Sequence, residues 1–315
     1  RIARAVTGRD HIAYCGYHGW HDWFIANTDL NSGIPEFNQG LAHSFNYNDL
    51  DSLQQIFDQN PGEIACVIME PLTVLEPQEN FLEEVKKIAH HNGALLIFDE
   101  VITGFRFAVG GAQELTGVTP DLTALAKGIS NGIPLSAIVG KKDYMFALEK
   151  TFFSFTYGGE CLGLAAAKTC IPKIRNEKVP AHLDYIGTVL KNEFNKLAEL
   201  HGLSELVECI GYPCRSIIAI DGKGKYDTLE LKSYMQQELI RHGVLWTAYH
   251  SLSWAHKLED IEFSLNAYDA TLKSLRKVID SNVSLRSFIE GEPVKPVFRK
   301  VADFNAYIQQ KGSKD

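Results

Sequence analysis

Two short, largely apolar runs of this sequence end on residues that can do acid–base and nucleophilic chemistry. Residues 93–98 lead directly to Asp99 and Glu100, and residues 121–126 lead to Lys127. Runs of this length, bounded by turn residues, predict strands buried on both faces of a parallel sheet. Open α/β sheets bind their ligands at the carboxyl ends of such strands. A lone lysine before a glycine is more often a solvated charge in a turn, so the interpretation of Lys127 depends on its neighbours.

Two further segments carry candidate residues. Tyr17 and His18 stand between glycines, which suits a loop where a flat ligand approaches the backbone closely. A core tyrosine in a tight turn is an equal alternative there. Glu70 follows a predicted strand and, by itself, indicates only a strand-end carboxylate that reaches water. His18 and His21 have no third ligand at zinc-like spacing, so no metal site is predicted.

The segments between these residues predict the alternating strands and helices of an α/β fold. Residues 63–69 read as a buried strand, and residues 81–91 carry apolar side chains at helical spacing. This helix would return the chain to the strand of Asp99 and complete a βαβ unit, whose crossover is almost always right-handed. We therefore expect a mainly parallel sheet in a large domain over residues 1–179.

The pattern changes near Pro180 to long amphipathic helices with short strands between them. We expect a smaller C-terminal α/β domain over residues 180–315, with strands around 217–220 and 244–246. The tail over residues 291–315 carries two prolines and is expected at the surface.

Composition sets limits on the class of protein. Hydrophobic residues make up 45% and charged residues 22% of the 315 residues, an ordinary globular profile. The net charge of -8 and the pI near 5.8 argue against a nucleic-acid or anionic-membrane surface. No apolar run approaches the length that spans a bilayer. The six cysteines are scattered without a C-x-x-C pair, which predicts reduced thiols in a cytoplasmic protein.

Several motifs in a fixed order resemble the class III aminotransferases, a group that includes glutamate-1-semialdehyde aminomutase. They are Tyr17-His18-Gly19, Met69-Glu70-Pro71, residues 98–106 (FDEVITGFR) and residues 126–134 (AKGISNGIP). The resemblance extends from Arg1 to about Arg299. It implies the fold of type I pyridoxal-phosphate enzymes, pyridoxal 5'-phosphate as cofactor, and transfer of an amino group between an amine or amino acid and a carbonyl compound.

The resemblance also implies roles for individual residues. Asp99 would face the ring nitrogen of the cofactor and keep it protonated, which is the electronic tuning that the protein supplies. Lys127 would form the imine with the cofactor, its amine kept partly neutral by desolvation, and would then shuttle the substrate proton. Tyr17 would stack on one face of the ring and Val101 would pack against the other.

Three more residues are predicted to belong to the cofactor site through their places in the motifs. His18 is part of the aromatic-His-Gly motif, and Glu70 would lie near cofactor and substrate. Thr156 would contact the phosphate of the cofactor held by a partner subunit, which implies a homodimer with a shared active site. The glycines at 158–159 would open a helix whose backbone N–H groups favour anions, although a plain helix N-terminus with no bound anion is the more common case.

The partners implied are a small-molecule amino donor and a carbonyl acceptor. Ornithine-type relatives carry an arginine where this sequence has Trp20, which argues against their substrates. The short segment 27–40 only partly resembles the gating loop of the aminomutases, so intramolecular amino transfer is the alternative. Arg215 and His250 are further candidates for facing the substrate. A third alternative is a non-catalytic fragment that keeps the fold.

The first residues suggest that the sequence begins inside an element. Residues 1–6 resemble the end of a helix that stops before Gly8, and no initiator methionine precedes them. In the family, the start of this helix carries the main phosphate-binding loop. We therefore expect an N-terminally truncated chain that binds the cofactor weakly.

Overall fold

The computed structural model describes residues 1–295, and these divide after Pro180 into two compact units. Unit 1 comprises residues 1–180 and unit 2 begins at Ala181. Most of the tail that we predicted at the surface, residues 296–315, lies outside the described residues.

A mixed sheet forms the centre of unit 1. Its strands are β1 (His11–Cys15), β2 (Ala42–Ser44), β3 (Ile64–Met69), β4 (Leu95–Glu100), β5 (Leu122–Leu125) and β6 (Ala137–Gly140). They are ordered β2-β1-β3-β4-β5-β6, and all neighbours pair in parallel except β5 and β6. The carboxyl ends of β1, β3, β4 and β5 therefore meet at one edge of the sheet, as the mainly parallel sheet predicted from the sequence requires.

Helices connect and cover these strands. They are α1 (Ile2–Thr7), α2 (Asp22–Ile25), α3 (Leu50–Gln59), α4 (Phe81–His91), α5 (Gly111–Thr116), α6 (Lys142–Met145) and α7 (Cys161–Asn176). The Asp49 side chain caps α3 by accepting from the Ser52 N–H, and Gly8 ends α1 in the left-handed conformation. The buried face of α4 packs with Leu96 and Phe98 of β4 in the core cluster of the sheet, which holds the strand that carries Asp99 in place.

Local boundaries differ from the sequence prediction in three places. Residues 26–48 are rich in Asn, Asp, Ser and Gly, which predicts a loop, and the structure adds the short strand β2 within them. The sequence predicts one helix around 144–149, and the structure divides this segment into α6 and a 3₁₀ turn at Phe146–Lys150. The helix expected to open at the 158–159 glycines begins at Cys161, because the Glu160 carboxylate caps it there.

Unit 2 pairs three long helices with a hairpin. Its elements are α8 (Val179–Leu200), β7 (Val207–Tyr212), β8 (Arg215–Ile220), α9 (Thr228–Arg241) and α10 (Leu258–Asp280). β7 and β8 form an antiparallel hairpin that closes at the pair Tyr212 and Arg215. The strand β7 was not predicted, and the strand predicted at 244–246 is irregular, with Leu245 88% exposed. Every helix within residues 1–295 is too short or too polar to span a bilayer.

Candidate active site

The carboxyl end of β4 places two adjacent carboxylates in opposite environments. Side chains alternate along a strand, so Asp99 and Glu100 point to opposite faces of the sheet. Asp99 lies at the edge with 13% of its side chain exposed, and its Oδ1 accepts the backbone N–H of Val101 at 3.2 Å. Glu100 is completely buried. Only Asp99 is therefore placed to meet a ligand.

His18 holds the Asp99 carboxylate. Its Nδ1 lies 2.8 Å from Asp99 Oδ2, and its Nε2 lies 3.1 Å from the Cys15 carbonyl oxygen. Because a carbonyl oxygen only accepts, the Nε2–H donates to Cys15, and Nδ1 is left facing the Asp99 carboxylate. The imidazole is 1% exposed and stacks on Trp23 with ring centroids 5.7 Å apart. We predicted His18 as a cofactor-binding residue; the structure places it behind Asp99, where it acts on that carboxylate.

The Glu100 carboxylate stabilises the segment that follows β4 through hydrogen bonds. Its carboxylate accepts from Thr103 Oγ1 at 2.9 Å, from Ala112 N at 2.6 Å, and from the backbone and side chain of Gln113 at 3.3 and 2.9 Å. A Cβ at Gly111, which has φ +74°, would overlap this carboxylate. The buried anion is thus satisfied by neutral donors and holds the segment 101–110, which contains Val101, against the sheet.

Lys127 lies just beyond the neighbouring strand. In the parallel register Asp99 is opposite Ala124 and Glu100 is opposite Leu125, so Lys127 follows β5 at the same edge of the sheet. Its backbone has φ +47° and begins a 3₁₀ turn. The side chain is exposed. The desolvation that we expected at this amine is therefore not supplied by the described residues.

Tyr17 and Glu70 are joined through the backbone. Glu70 is 8% exposed, and its Oε1 accepts the N–H of Tyr17 at 3.2 Å. Gly16 has φ +100°, and a Cβ there would touch Glu70 Cγ at 3.3 Å, so the close approach requires glycine. The Tyr17 ring meets Phe24 edge-to-face at 5.5 Å. Glu70 therefore positions the loop that carries Tyr17.

Thr156 is not brought to the other predicted residues by the described chain. It lies in an exposed turn, and no described hydrogen bond links it to Asp99, Lys127 or Tyr17. The following helix start is capped by Glu160, whose carboxylate accepts from Leu162 N at 2.6 Å and Gly163 N at 2.8 Å. Of the two interpretations of this segment, an anion site and a plain helix N-terminus, the capped start matches the second.

His250 belongs to the core of unit 2. Its Nδ1 lies 2.8 Å from Ser216 Oγ and its Nε2 lies 2.7 Å from the Tyr268 hydroxyl. Burial lowers the pKa of His250 to about 4. A buried, neutral imidazole with both nitrogens engaged is a structural group, so our expectation that it faces substrate was wrong. Arg215 begins β8 at the tip of the hairpin.

The donor set at the edge of the sheet fits pyridoxal phosphate. A carboxylate held by a buried imidazole suits a protonated ring nitrogen, and a primary amine follows the adjacent strand at the same edge. Among the described residues, no cluster of His, Cys, Asp and Glu could hold a metal ion.

Comparison with known proteins decides the family. The family described as "Aminotransferase class-III" matches residues 7–260. The 3-aminobutyryl-CoA aminotransferase of Cloacimonas acidaminovorans (strain Evry) is 36% identical over 290 residues, which cover 89% of this chain and 68% of that protein. The chain belongs to the class III aminotransferases. Members of this family use pyridoxal phosphate to transfer amino groups, so this chain is a pyridoxal-phosphate-dependent aminotransferase.

Other relatives agree with the family and the fold. The glutamate-1-semialdehyde 2,1-aminomutase of Alkaliphilus oremlandii (strain OhILAs) is 34% identical over 302 residues, covering 88% of this chain and 71% of that protein. The FumI protein of Sphingopyxis sp. MTA144, solved in its PLP internal aldimine form, superposes with a TM-score of 0.82 at 26% identity, covering 91% of this chain and 70% of that one. An omega-transaminase from Sphaerobacter thermophilus, at 24% identity and a TM-score of 0.77, shares the fold over 87% of this chain and 70% of its own. The predicted type I fold, the cofactor and the aminotransferase family are thus confirmed.

Proposed function

We propose that amino transfer occurs at the edge of the sheet where β4 and β5 end, with Asp99 and Lys127 as the catalytic residues. The supporting observation is the His18–Asp99 pair, 2.8 Å between Nδ1 and Oδ2, on the strand next to the one that leads to Lys127. Pyridoxal phosphate, when bound, supplies an electron sink for the substrate carbon that carries the amino group. Unit 1 is then the cofactor-binding domain and unit 2 the small domain.

Each residue of this site has a proposed role. Asp99 holds a proton at the ring nitrogen of the cofactor, and His18 keeps the carboxylate in place. The Nζ of Lys127 binds the cofactor covalently and is the base that removes and returns the proton on the substrate carbon. Tyr17, oriented by Glu70, covers one face of the ring and Val101 the other.

Replacement of Lys127 tests this assignment. The protein is saturated with pyridoxal phosphate, reduced with borohydride and digested, and the attachment site is found by mass spectrometry. We expect the cofactor on Lys127, and neither covalent cofactor nor turnover in Lys127→Ala. The matched control is Lys87→Ala, which removes a surface lysine that pairs with Glu84 at 2.6 Å. Covalent cofactor in the Lys127→Ala protein would refute the assignment.

The reaction that we propose uses two substrates, an amino donor and a carbonyl acceptor. The first relative is named for transfer to or from an acyl-CoA compound, and the second for movement of an amino group within one molecule. Turnover that needs no second substrate would favour the aminomutase alternative. A non-catalytic protein would show no turnover, and it would also lack the cofactor-dependent stabilisation that a specific binder must show.

We also propose a homodimer, with Thr156 serving the cofactor phosphate of the partner subunit. The segment around Thr156 exposes large apolar side chains, which is typical of an interface and costly in water. They are Phe152 (83%), Phe153 (56%), Phe155 (54%), Tyr157 (74%), Leu162 (74%) and Leu164 (53%). An obligate dimer interface would bury about 2,000 Å² or more. Sedimentation at micromolar concentration is expected to give a dimer, and a stable monomer would contradict the proposal.

The cysteines support a cytoplasmic location, which we propose as well. All six are free thiols, and Cys15, Cys66, Cys209 and Cys214 are buried. Burial raises the pKa of Cys66 to about 12 and that of Cys209 to about 11. Inert, buried thiols of this kind are typical of proteins in a reducing compartment.

A further inference from the structure

A buried carboxylate at the end of β4, Glu100, has no role in the proposed chemistry, although it lies next to Asp99. Its side chain is completely buried, and each of the four groups that donate to it is neutral. Burying a carboxylate is costly even when hydrogen bonds satisfy it, and an apolar side chain would fill the same space at lower cost. The positions of the donors indicate what the carboxylate contributes.

The donors to Glu100 come from both ends of the segment 101–110. Thr103 lies near its start, whereas Ala112 and Gln113 lie in the first turn of α5, just after its end. One carboxylate therefore ties the two ends of the segment together. Because the segment contains no helix or strand, these hydrogen bonds determine its course where a backbone ladder would otherwise do so.

Gln113 extends this network to the strand that leads to Lys127. Its Nε2 donates to Glu100 Oε1 at 2.9 Å and to Thr123 Oγ1 at 3.0 Å. Thr123 is buried in β5, where it lies opposite Phe98 of β4. Bonds between buried polar groups hold a defined geometry, because breaking one leaves a desolvated atom without a partner. The end of β4 and the strand β5 are thus joined by side chains as well as by the backbone.

The segment that Glu100 holds also packs against the turn at 126–131, which contains Lys127 and is called the lysine turn below. Gly104 lies so close to β5 that a Cβ there would come within 2.8 Å of Leu125 Cδ2. A Cβ at Gly128, directly after the lysine, would lie 3.5 Å from the Gly104 carbonyl oxygen. In a close-packed interior, a shift on one side of such a contact moves the other side.

Two backbone conformations at this contact need support from their surroundings. Phe105 has φ +63° and Lys127 has φ +47°, both in the left-handed region that residues with a side chain rarely adopt. Such conformations persist only where the surrounding structure fixes them. The direction in which the Lys127 side chain leaves the backbone follows from that φ, so the support also directs the amine.

We propose that Glu100, acting through Gln113 and Thr123, is a positioning residue that sets the place of Lys127 relative to Asp99. The proposal rests on the proposed function, because Lys127 and Asp99 are the catalytic residues of that function. One ring must meet Asp99 at its nitrogen and the Lys127 amine at its reactive carbon, so the two strands and the turns after them must keep a fixed separation. Glu100 contributes to this from the face of the sheet opposite Asp99, without touching the ring.

The binding of two cofactor forms separates positioning of the lysine from a general structural role. In the proposed function pyridoxal phosphate bonds covalently to Lys127, whereas pyridoxamine phosphate, which has an amine in place of the aldehyde, cannot. Thr123→Val removes the hydroxyl with little change of shape. We expect it to weaken the binding of pyridoxal phosphate about fivefold, the effect of one lost hydrogen bond, and to leave that of pyridoxamine phosphate unchanged. Calorimetry measures both affinities.

Three further variants complete the comparison. Thr123→Ser keeps the hydroxyl and should bind pyridoxal phosphate as the unchanged protein does. Glu100→Gln should weaken pyridoxal phosphate more than Thr123→Val does, because its amide NH₂ would face N–H donors. If Glu100→Gln does not fold, the two Thr123 variants decide the test. Thr271→Val, the control, makes the same change at a fully buried threonine of α10 in unit 2 and should bind both forms normally.

Hydrogen exchange in the cofactor-free protein gives a second readout. The amide N–H groups of Ile129 and Asn131 donate to the carbonyl oxygens of Ala126 and Lys127, at 3.2 and 3.1 Å. We expect these amides to exchange about fivefold faster in Thr123→Val, while the helices of unit 2 keep their rates.

The proposal is overturned if Thr123→Val weakens both cofactor forms equally, or if it leaves either the affinity for pyridoxal phosphate or the exchange of the lysine turn unchanged. Borohydride labelling of the unchanged protein identifies the lysine that binds the cofactor whatever these variants do. Labelling of Lys127 with no effect of Thr123→Val would therefore refute the positioning role alone, whereas labelling elsewhere would refute the proposed function.

Discussion

His18 in unit 1 and His250 in unit 2 are buried to nearly the same degree but serve different purposes. They are 8% and 9% exposed, and each uses both ring nitrogens. His18 faces a carboxylate and a carbonyl, whereas His250 faces the hydroxyl groups of Ser216 and Tyr268. The Asp99 carboxylate offers His18 a partner of opposite charge, whereas the two hydroxyl groups offer His250 only neutral partners. The two histidines therefore differ in the groups that they contact, although they are buried to nearly the same degree.

The surroundings of His250 explain why it stays neutral. Cys209 Sγ lies 3.8 Å from its Nδ1, and burial raises the pKa of that thiol to about 11. Burial also raises the pKa of Tyr268 well above its ordinary value. Neither group carries charge near neutral pH, so desolvation alone lowers the pKa of His250 to about 4. His250 therefore makes the stability of the protein depend on pH but takes no part in catalysis.

The largest effect that we expect from this difference is a loss of stability in acid. The folded-state pKa of His250, about 4, lies below its ordinary value of 6.5. The unfolded chain therefore takes up a proton first as the pH falls from about 6.5 to 4, and the free energy of unfolding decreases over this window. The full contribution is about 3 kcal/mol, present above pH 6.5 and absent below pH 4.

Urea denaturation at pH 7.5 and pH 5 measures this contribution. His250→Gln keeps hydrogen-bonding groups near Ser216 and Tyr268 but cannot titrate, so it should lose about 2 kcal/mol less than the unchanged protein between the two pH values. His242→Gln, at an exposed position after α9, is the control and should follow the unchanged protein. An equal acid loss in His250→Gln would mean that other groups carry the pH dependence.

The sequence predicted secondary structure correctly where the local pattern of apolar residues matches the face that the element buries. The strands β3 and β4 and the helix α4 follow from apolar runs, helical periodicity and turn residues, because each element buries a continuous face. It failed at residues 244–246, which look like a strand but have no regular structure; the backbone bridge to β8 forms further along the chain, at Tyr249.

The candidate site shows the same division. Motif order placed Asp99 and Lys127 at one edge of the sheet, which the parallel register of β4 and β5 explains. The sequence could not say that Ala112 and Gln113 would donate to Glu100, because they begin α5, and the irregular segment 101–110 determines where α5 lies relative to β4. It also could not show that His18 contacts Asp99 rather than a ligand, because 81 residues separate them in the chain.

A smaller effect is expected when the other histidine is replaced. In His18→Gln, Asp99 loses its buried imidazole partner. The ring that stacks on Trp23 is also removed, so the Asp99 carboxylate is held less firmly. Misplacement of a catalytic group by a fraction of an ångström lowers turnover, and we expect roughly a tenfold decrease in kcat.

If His18 had a purely structural role, its replacement would lower the stability of the protein and leave the cofactor absorbance unchanged. The deciding measurement is the pH dependence of the visible absorbance of the bound cofactor, which should shift in His18→Gln because the proton at the ring nitrogen depends on Asp99. His91→Gln, exposed on α4, should change neither quantity. An unchanged absorbance profile in His18→Gln, with the same kcat, would show that the two histidines are both structural.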